Sequence, residues 1–436
     1  MVPVRSINIL SDKIKKLIED DKLLQEMKIA GRRRAEELYN EKEVVKKQLE
    51  IFNKLLNPKK KILFIATVED HLICFHIPYI KYLQSKGYEV YAATKLGKRK
   101  GELEQYGIIC HDVNFSRLAS PLASLRALMQ LIKLMKRNQF SLVHVHTPMA
   151  SFLGRLAAKV TNIKSVLYTA HGFHFYKGAP WYYWACIYPI EYLLARWTDG
   201  LIVINQEDYI NAQKMPIRNK GKVYLIPGMG VDTKRYKPIP EEQKIFLRKK
   251  YGFKNKDFLL IYTAELNKNK NQYFLIKAIS FLKNKIPNLK ILFAGDGNLK
   301  DDYEKYVQNL NLKDNIVFLG YRQDLEKIIP MCDIGTSAST REGFGINLVE
   351  YMSVGLPVVA TKNRGHKEII VDGSNGLLFE LGNMTQFIET IERLYKYKSL
   401  RKKLGKNAIE SAQKFSIERS FNVMSKIYKN FICKVK

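Results

Sequence analysis

From Lys60 onward, short apolar runs alternate with stretches whose apolar residues recur at helical spacing. Residues 62–67, 89–93, 108–113, 142–146, 166–170, 201–204 and 223–226 read as strands, with helical patterns between most of them. The stretch Pro227-Gly228-Met229-Gly230-Val231-Asp232, followed by Lys237-Pro238-Ile239-Pro240, then breaks the pattern and reads as a linker. A second alternation follows, with strands at 258–263, 289–294, 316–319, 334–336, 357–360 and 376–379. Apolar strands alternating with helices imply parallel sheets covered on both faces. The expectation is α/β: two doubly wound domains, with a ligand cleft between them at the carboxyl ends of the strands. The predicted bounds are 58–232 for the first and 233–413 for the second. Residues 414–436 are predicted as a C-terminal helix packing back on the first domain.

Residues 1–57 stand outside this alternation as a charged helical arm. Ile14, Leu17, Leu23, Met27, Ala35 and Leu38 align at one offset with Ile391, Leu394, Leu400, Leu404, Ala412 and Phe415. The arm thus repeats the helical tail that closes the chain, which suggests a fused copy of a related protein's tail; two unrelated amphipathic helices would be the plainer account.

Charge narrows the partners. The 436 residues carry 73 Lys plus Arg against 42 Asp plus Glu, a formal charge of +31. Such a balance calls for an anionic partner: nucleic acid, anionic lipid or a phosphorylated substrate. The basic residues are spread over the whole chain and no nucleic-acid-binding motif appears, so no nucleic acid is expected. Five scattered cysteines, odd in number and without a Cys-x-x-Cys pair, fit a reducing cytoplasm. No apolar run is long enough to span a bilayer.

The stretch Arg341-Glu342-Gly343-Phe344-Gly345-Ile346-Asn347-Leu348-Val349-Glu350 sets one carboxylate in a loop and a second on the following helix. Gly343 and Gly345 let backbone approach a ligand, and the helix start offers free N–H groups to a phosphate. Ionised acids on either side suit the hydroxyls of a sugar and a ribose, because they only accept hydrogen bonds. A capping acid and a solvated helix face would be the alternative. Lys270 stands where a helix begins and suits a diphosphate. Gly295-Asp296-Gly297 marks a tight turn, and Phe318-Leu319-Gly320-Tyr321-Arg322 offers groups to pack a nucleobase. Arg364-Gly365-His366-Lys367-Glu368 forms a further loop expected at the same edge.

In order and spacing, Val231-Asp232, the run from Glu265 to Lys270, Gly295-Asp296-Gly297, Gly320-Tyr321-Arg322, the run from Glu342 to Glu350, the run from Gly355 to Ala360 and Asn375-Gly376-Leu377-Leu378-Phe379 resemble the retaining glycosyltransferases of family 4, of GT-B fold. The likeness covers everything after roughly Lys60. It implies a sugar nucleotide, more readily UDP-linked and with an N-acetylhexosamine as one candidate sugar, as donor to a lipid-linked glycan in capsule or exopolysaccharide synthesis. It further implies that Glu342 contacts sugar hydroxyls, Glu350 the ribose, and Lys270, Phe344 and Gly345 the diphosphate, with Gly295, Tyr321 and Arg322 completing the donor site. The family usually carries Arg five residues before the lysine; here Glu265 stands there, and Lys268 or Arg341 is the candidate substitute.

In the first half, Thr169-Ala170-His171-Gly172 resembles the family's His-Gly loop, so His171 is expected beside the reacting sugar; a buried structural histidine is the other reading. Asp70, His71 and His76, in the loop after the first strand, are expected to touch the acceptor. His144 and His146 lie two apart with no third ligand near them in sequence, so structural roles are expected and metal is not. The family typically needs no catalytic metal, in keeping with the lack of an Asp-x-Asp pair. The aromatic stretch from Trp181 to Leu194 reads either as an interfacial contact with an anionic membrane or as a core helix. Leu125, Leu128, Leu131, Ile132 and Leu134, with Arg126, Lys133, Lys136 and Arg137, make a second basic amphipathic candidate. Together these place the protein in the cytoplasm, peripheral on the inner face of the cell membrane. Rival readings are a nucleotide-sugar epimerase or hydrolase of the same fold, a basic nucleic-acid-binding protein, and a noncatalytic partner-binding homologue.

Overall fold

The computed structural model describes residues 6–56, 60–115, 120–218 and 221–432. It contains two compact units, Met1–Lys60 and Lys61–Lys436. The larger unit holds two parallel sheets. The first is built from β1 (Lys61–Val68), β2 (Glu89–Lys95), β3 (Ile109–Asp112), β4 (Leu142–His146), β5 (Val166–Ala170), β6 (Gly200–Val203) and β7 (Lys222–Leu225). The second is built from β8 (Phe258–Thr263), β9 (Leu289–Ala294), β10 (Ile316–Gly320), β11 (Ile334–Ser337), β12 (Val358–Thr361) and β13 (Leu377–Phe379). Every strand expected from the sequence is present, with ends displaced by two residues at most. The reason is the apolar signal itself: β4, β5, β6, β11 and β12 are buried along their whole length.

The strand orders are β3-β2-β1-β4-β5-β6-β7 and β10-β9-β8-β11-β12-β13. In each sheet the order reverses once, between β1 and β4 and between β8 and β11. Crossover connections at such a point leave in opposite directions and open a crevice beyond the strand ends.

The chain crosses between the halves twice, and the crossings are stitched together. The Val231 amide donates to the Phe415 carbonyl at 3.0 Å and the Ile417 amide to the Val231 carbonyl at 2.9 Å. The helix Ile417–Ile432 then lies against the first half, burying Met424, Ile427, Tyr428 and Phe431. Each such side chain contributes roughly 2 kcal/mol of burial. The Tyr428 hydroxyl meets His144 Nδ1 at 2.8 Å. Phe431 sits over Gly200, where an added Cβ would lie 2.8 Å from the ring. A side chain at Gly200 would therefore lift the helix.

The smaller unit consists of helices Ile7–Glu19, Asp21–Tyr39 and Glu41–Leu56. The Asp20 carboxylate caps the second by accepting from the Leu23 amide at 2.9 Å. Shifted by the 377 positions that separate Ile14 from Ile391, these helices fall on 384–396, 398–416 and 418–433. The tail helices are Met384–Lys396, Lys398–Ala412 with a short extension Gln413–Phe415, and Ile417–Ile432. The aligned repeat thus extends from apolar positions to helix boundaries.

Candidate active site

At the β8/β11 switch, two loops converge because backbone and side chains tie them together. The Thr340 amide donates to the Asn269 carbonyl at 2.8 Å, and Asn269 Nδ2 donates to the Arg341 carbonyl at 3.0 Å. The Tyr262 hydroxyl holds the Lys270 carbonyl at 3.0 Å. This brings Lys270 Nζ onto Glu342 Oε1 as an ion pair whose side chains are 25% and 14% exposed. Burial by itself would raise the Glu342 carboxyl, but the Lys270 charge and hydrogen bond and the nearby His366 outweigh it and hold it below its ordinary range. The helix Ile346–Ser353 begins directly after, capped by Gly345 at φ 102°, a conformation that disfavours other residues.

At the β1/β4 switch, residues far apart in sequence meet. His71 and His76 follow β1, His146 ends β4, and His171 follows β5; these three strands are neighbours in the sheet. His71 Nε2 lies 3.0 Å from His171 Nε2. Burial, with smaller contributions from the other rings, pushes His76, His146 and His171 well below the usual histidine range, and burial alone pushes His71 down to about 4. All four imidazoles are neutral at physiological pH. His76 and His146 are fully buried, and neither ring nitrogen of either has a hydrogen-bond partner among the described residues. Each unpaired polar group of this kind costs about 1–3 kcal/mol.

The two crevices face each other. An added Cβ at Gly343 would lie 1.9 Å from the His171 carbonyl, and one at Gly172, at φ 135°, would lie 2.9 Å from Gly343 Cα. Only glycine at both positions permits this approach. Asn205 Nδ2 donates to the Gly343 carbonyl at 2.9 Å. Arg364 donates to the Phe173 carbonyl and pairs with Asp208, side chains 6% and 0% exposed, so a buried ion pair joins the halves. A cavity of about 330 Å³ lies at the meeting point, lined by His71, His171, Lys270, Glu342, Phe344 and Gly345 among others.

Several expected site residues lie elsewhere. His76, expected to touch the acceptor, is fully buried in the histidine cluster and presents no surface to an acceptor. Asp70 pairs with Arg99 and, with Tyr321, lines a separate cavity of about 750 Å³. The Arg322 guanidinium forks onto Asp324, at 2.8 and 2.6 Å. Gly295 serves backbone packing, since an added Cβ would lie 2.0 Å from the Ala264 carbonyl. Glu350 lies one turn along the helix from Ile346, outside the cavity lining; burial pushes its carboxyl up to about 7 against a Tyr236 hydrogen bond and the Arg235 charge. Glu265 is exposed, and its carbonyl, not its carboxylate, is engaged, by Gln272 Nε2 at 2.9 Å.

Sequence reasoning missed two features. It found no third ligand near His144 and His146, yet the fold brings three further histidines around His146, while His144 itself is satisfied by Tyr428 and Thr169 at 2.8 Å each. It placed Arg364 on a ligand-facing loop, whereas Arg364 clamps the halves. No local signal gave the first: the ends of β1, β4 and β5 come together only once β4 is placed beside β1.

Residues 61–205 match the family described as Glycosyl transferase 4-like, and residues 243–411 match Glycosyl transferases group 1. EpsD of Bacillus subtilis (strain 168), named as a glycosyltransferase, is 41% identical over 377 residues, covering 86% of this chain and 97% of that protein. The Escherichia coli UDP-Gal:alpha-D-GlcNAc-diphosphoundecaprenol alpha-1,3-galactosyltransferase is 27% identical, over 72% of this chain and 80% of its own. Among solved structures, Anabaena HepE in complex with UDP and glucose shares the fold at a TM-score of 0.71 and 22% identity, covering 85% of this chain and all of that one. With both halves matched in order and nearly the whole of a 41% identical relative spanned, the chain belongs to the family-4-like, group 1 glycosyltransferases of GT-B fold.

Proposed function

We propose that the protein transfers a sugar, with retention at the anomeric carbon, from a UDP-type donor to a hydroxyl of a lipid-linked glycan in cell-surface polysaccharide assembly. The observation that carries this reading is the cavity that sets Lys270, Glu342 and the amides at the start of the helix Ile346–Ser353 opposite His71 and His171. Lys270 and those amides receive the diphosphate and stabilise its charge as it leaves. They are the groups asked to neutralise the leaving group, with no metal called on for that step. Glu342, released from Lys270 when the diphosphate arrives, accepts from sugar hydroxyls and steadies positive charge at the anomeric carbon. Glu350 accepts from the ribose. His171, part-exposed at the cavity wall and held toward its neutral form by its apolar surroundings, orients the acceptor side through a hydrogen bond.

The Escherichia coli relative, whose name gives a diphosphoundecaprenol-linked acceptor, supports the lipid-linked substrate. So does an exposed apolar surface: Trp181 is 78%, Tyr182 48% and Leu193 48% exposed beside the buried Arg155–Glu191 pair. Leu122, Leu125 and Met129 add an exposed edge next to Arg126 and Lys133. Such surfaces suit the interface of an anionic membrane, on its cytoplasmic side. Among the described residues no helix is long and apolar enough to cross a membrane.

The test is a panel of UDP, GDP and ADP sugars with polyprenyl-diphosphate-linked acceptors, read by mass spectrometry. Glycan growth from a UDP sugar, lost in Glu342→Gln, is expected. Nucleotide release without glycan growth would point to hydrolysis, and growth undiminished in Glu342→Gln would refute the assigned site.

A further inference from the structure

We infer that His71, His76, His146 and His171 form a binding site for one divalent transition-metal ion of the zinc type. One ring nitrogen from each lies within 4.8 Å of one from every other. A tetrahedral zinc ion at about 2.0–2.1 Å from four nitrogens would hold them about 3.4 Å apart, within reach of small ring rotations. The His71 and His171 Nε2 atoms are already 3.0 Å apart. An all-imidazole set, with no carboxylate or carbonyl in it, suits zinc, cobalt or nickel and not magnesium or calcium.

Two observations point to a ligand here in preference to a merely polar core. The buried His76 and His146 rings leave both nitrogens unpartnered among the described residues, a cost the fold accepts at adjacent positions of one cluster. His144, on the same strand as His146, shows the alternative, since both its nitrogens are satisfied by hydroxyls. The balance is simple: each neutral imidazole donates one lone pair and keeps its proton on the other nitrogen. Of the facing His71 and His171 Nε2 atoms, the one that carries the bridging proton shifts it to its own Nδ1, so no proton is lost. His71 and His171 are part-exposed to the cleft, which gives the ion an entry path.

The ion would belong to the acceptor half, whose strands carry all four ligands. It would not neutralise the diphosphate; it would lock the His71 and His171 rings at the cavity wall. This inference concerns metal binding and stands apart from the assignment of the donor.

The experiment uses full-length protein without a polyhistidine tag, stripped by chelator and titrated with Co²⁺ and Zn²⁺. The expected result is one ion per chain by elemental analysis and calorimetry, and intense visible bands of tetrahedral cobalt. His76→Phe and His146→Phe should each weaken binding more than about 100-fold, while His174→Ala, outside the cluster, binds as wild type. Circular dichroism confirms that the variants fold, and the wild-type cobalt spectrum does not depend on them. No saturable binding by stripped wild type at micromolar ion, an octahedral cobalt spectrum, or binding unchanged in both phenylalanine variants would overturn the inference.

Discussion

At the switch between β1 and β4 the first half gathers four neutral imidazoles, whereas between β8 and β11 the second half sets an ammonium against a carboxylate. Apart from the extra edge strand β7, the strand order is the same in both halves, and so is the way the crevice is made. The residues delivered to it differ, and with them the electrostatics: burial pushes the histidines toward their neutral form, while the Lys270 ion pair holds the Glu342 carboxyl below its ordinary range despite burial. A parallel sheet with one reversal of strand order thus provides a place, and the side chains at four or five strand ends decide what is done there. Under the proposed function, the charged face would meet the diphosphate and the neutral face the acceptor hydroxyl.

The largest expected effect comes from separating the two faces. Arg364→Leu leaves the Asp208 carboxylate buried without its cation, which costs about 3–5 kcal/mol in chemical denaturation. A loss below about 1 kcal/mol would show that the pair does not hold the halves together. Next, Lys270→Ala removes the cationic side of the second crevice and should lower the transfer rate about 10²–10³-fold with the fold intact by circular dichroism. A change confined to KM would instead mark Lys270 as a binding residue without transition-state preference.

A smaller effect sharpens the donor side. The Glu350 carboxyl, raised by burial to about 7, is protonated in the free protein below that pH, and only the ionised form accepts from ribose hydroxyls without holding a proton of its own. UDP binding measured by calorimetry should therefore weaken by about tenfold per pH unit below 7, and this slope should vanish in Glu350→Gln. A slope identical in the variant would assign the titration to the nucleotide.

The smallest effect concerns the repeated helices. Ile391, Leu404 and Ala412 of the tail are fully buried, whereas their arm counterparts Ile14, Met27 and Ala35 are exposed, Ile14 at 48% and Met27 at 54%. No residue of the first two arm helices is buried, so their hydrophobic faces contribute little to stability. Deleting residues 1–60 should change the unfolding free energy of the remainder by no more than about 0.5 kcal/mol and leave transfer intact. A collapse of both would mean that the arm is a working part and not a fused remnant.

Much of this was legible in the chain. Strand positions could be read because parallel strands are apolar on both faces, and the interruption near Pro227 marked where one sheet ends. The closeness of Glu342 to the start of the following helix could be read because it is local, four positions apart in sequence. The position of Lys270 after a strand could be read too, although not the ion pair it makes. His76 was misread because a polar residue in a loop is ordinarily exposed, and only the packing of the helix Glu69–Phe75 against β1 shows that it points inward.

By itself the sequence determined the element order, the double alternation, the repeated helical tail and the residue types at each strand end, since all of these follow from local periodicity and turn chemistry. Strand order was decided by the tertiary structure alone, because pairing joins segments as far apart as Ile62 and Leu142. With it came the approach of Gly172 to Gly343, the Arg364 clamp and the histidine cluster, contacts that exist only once β4 lies beside β1 and β11 beside β8.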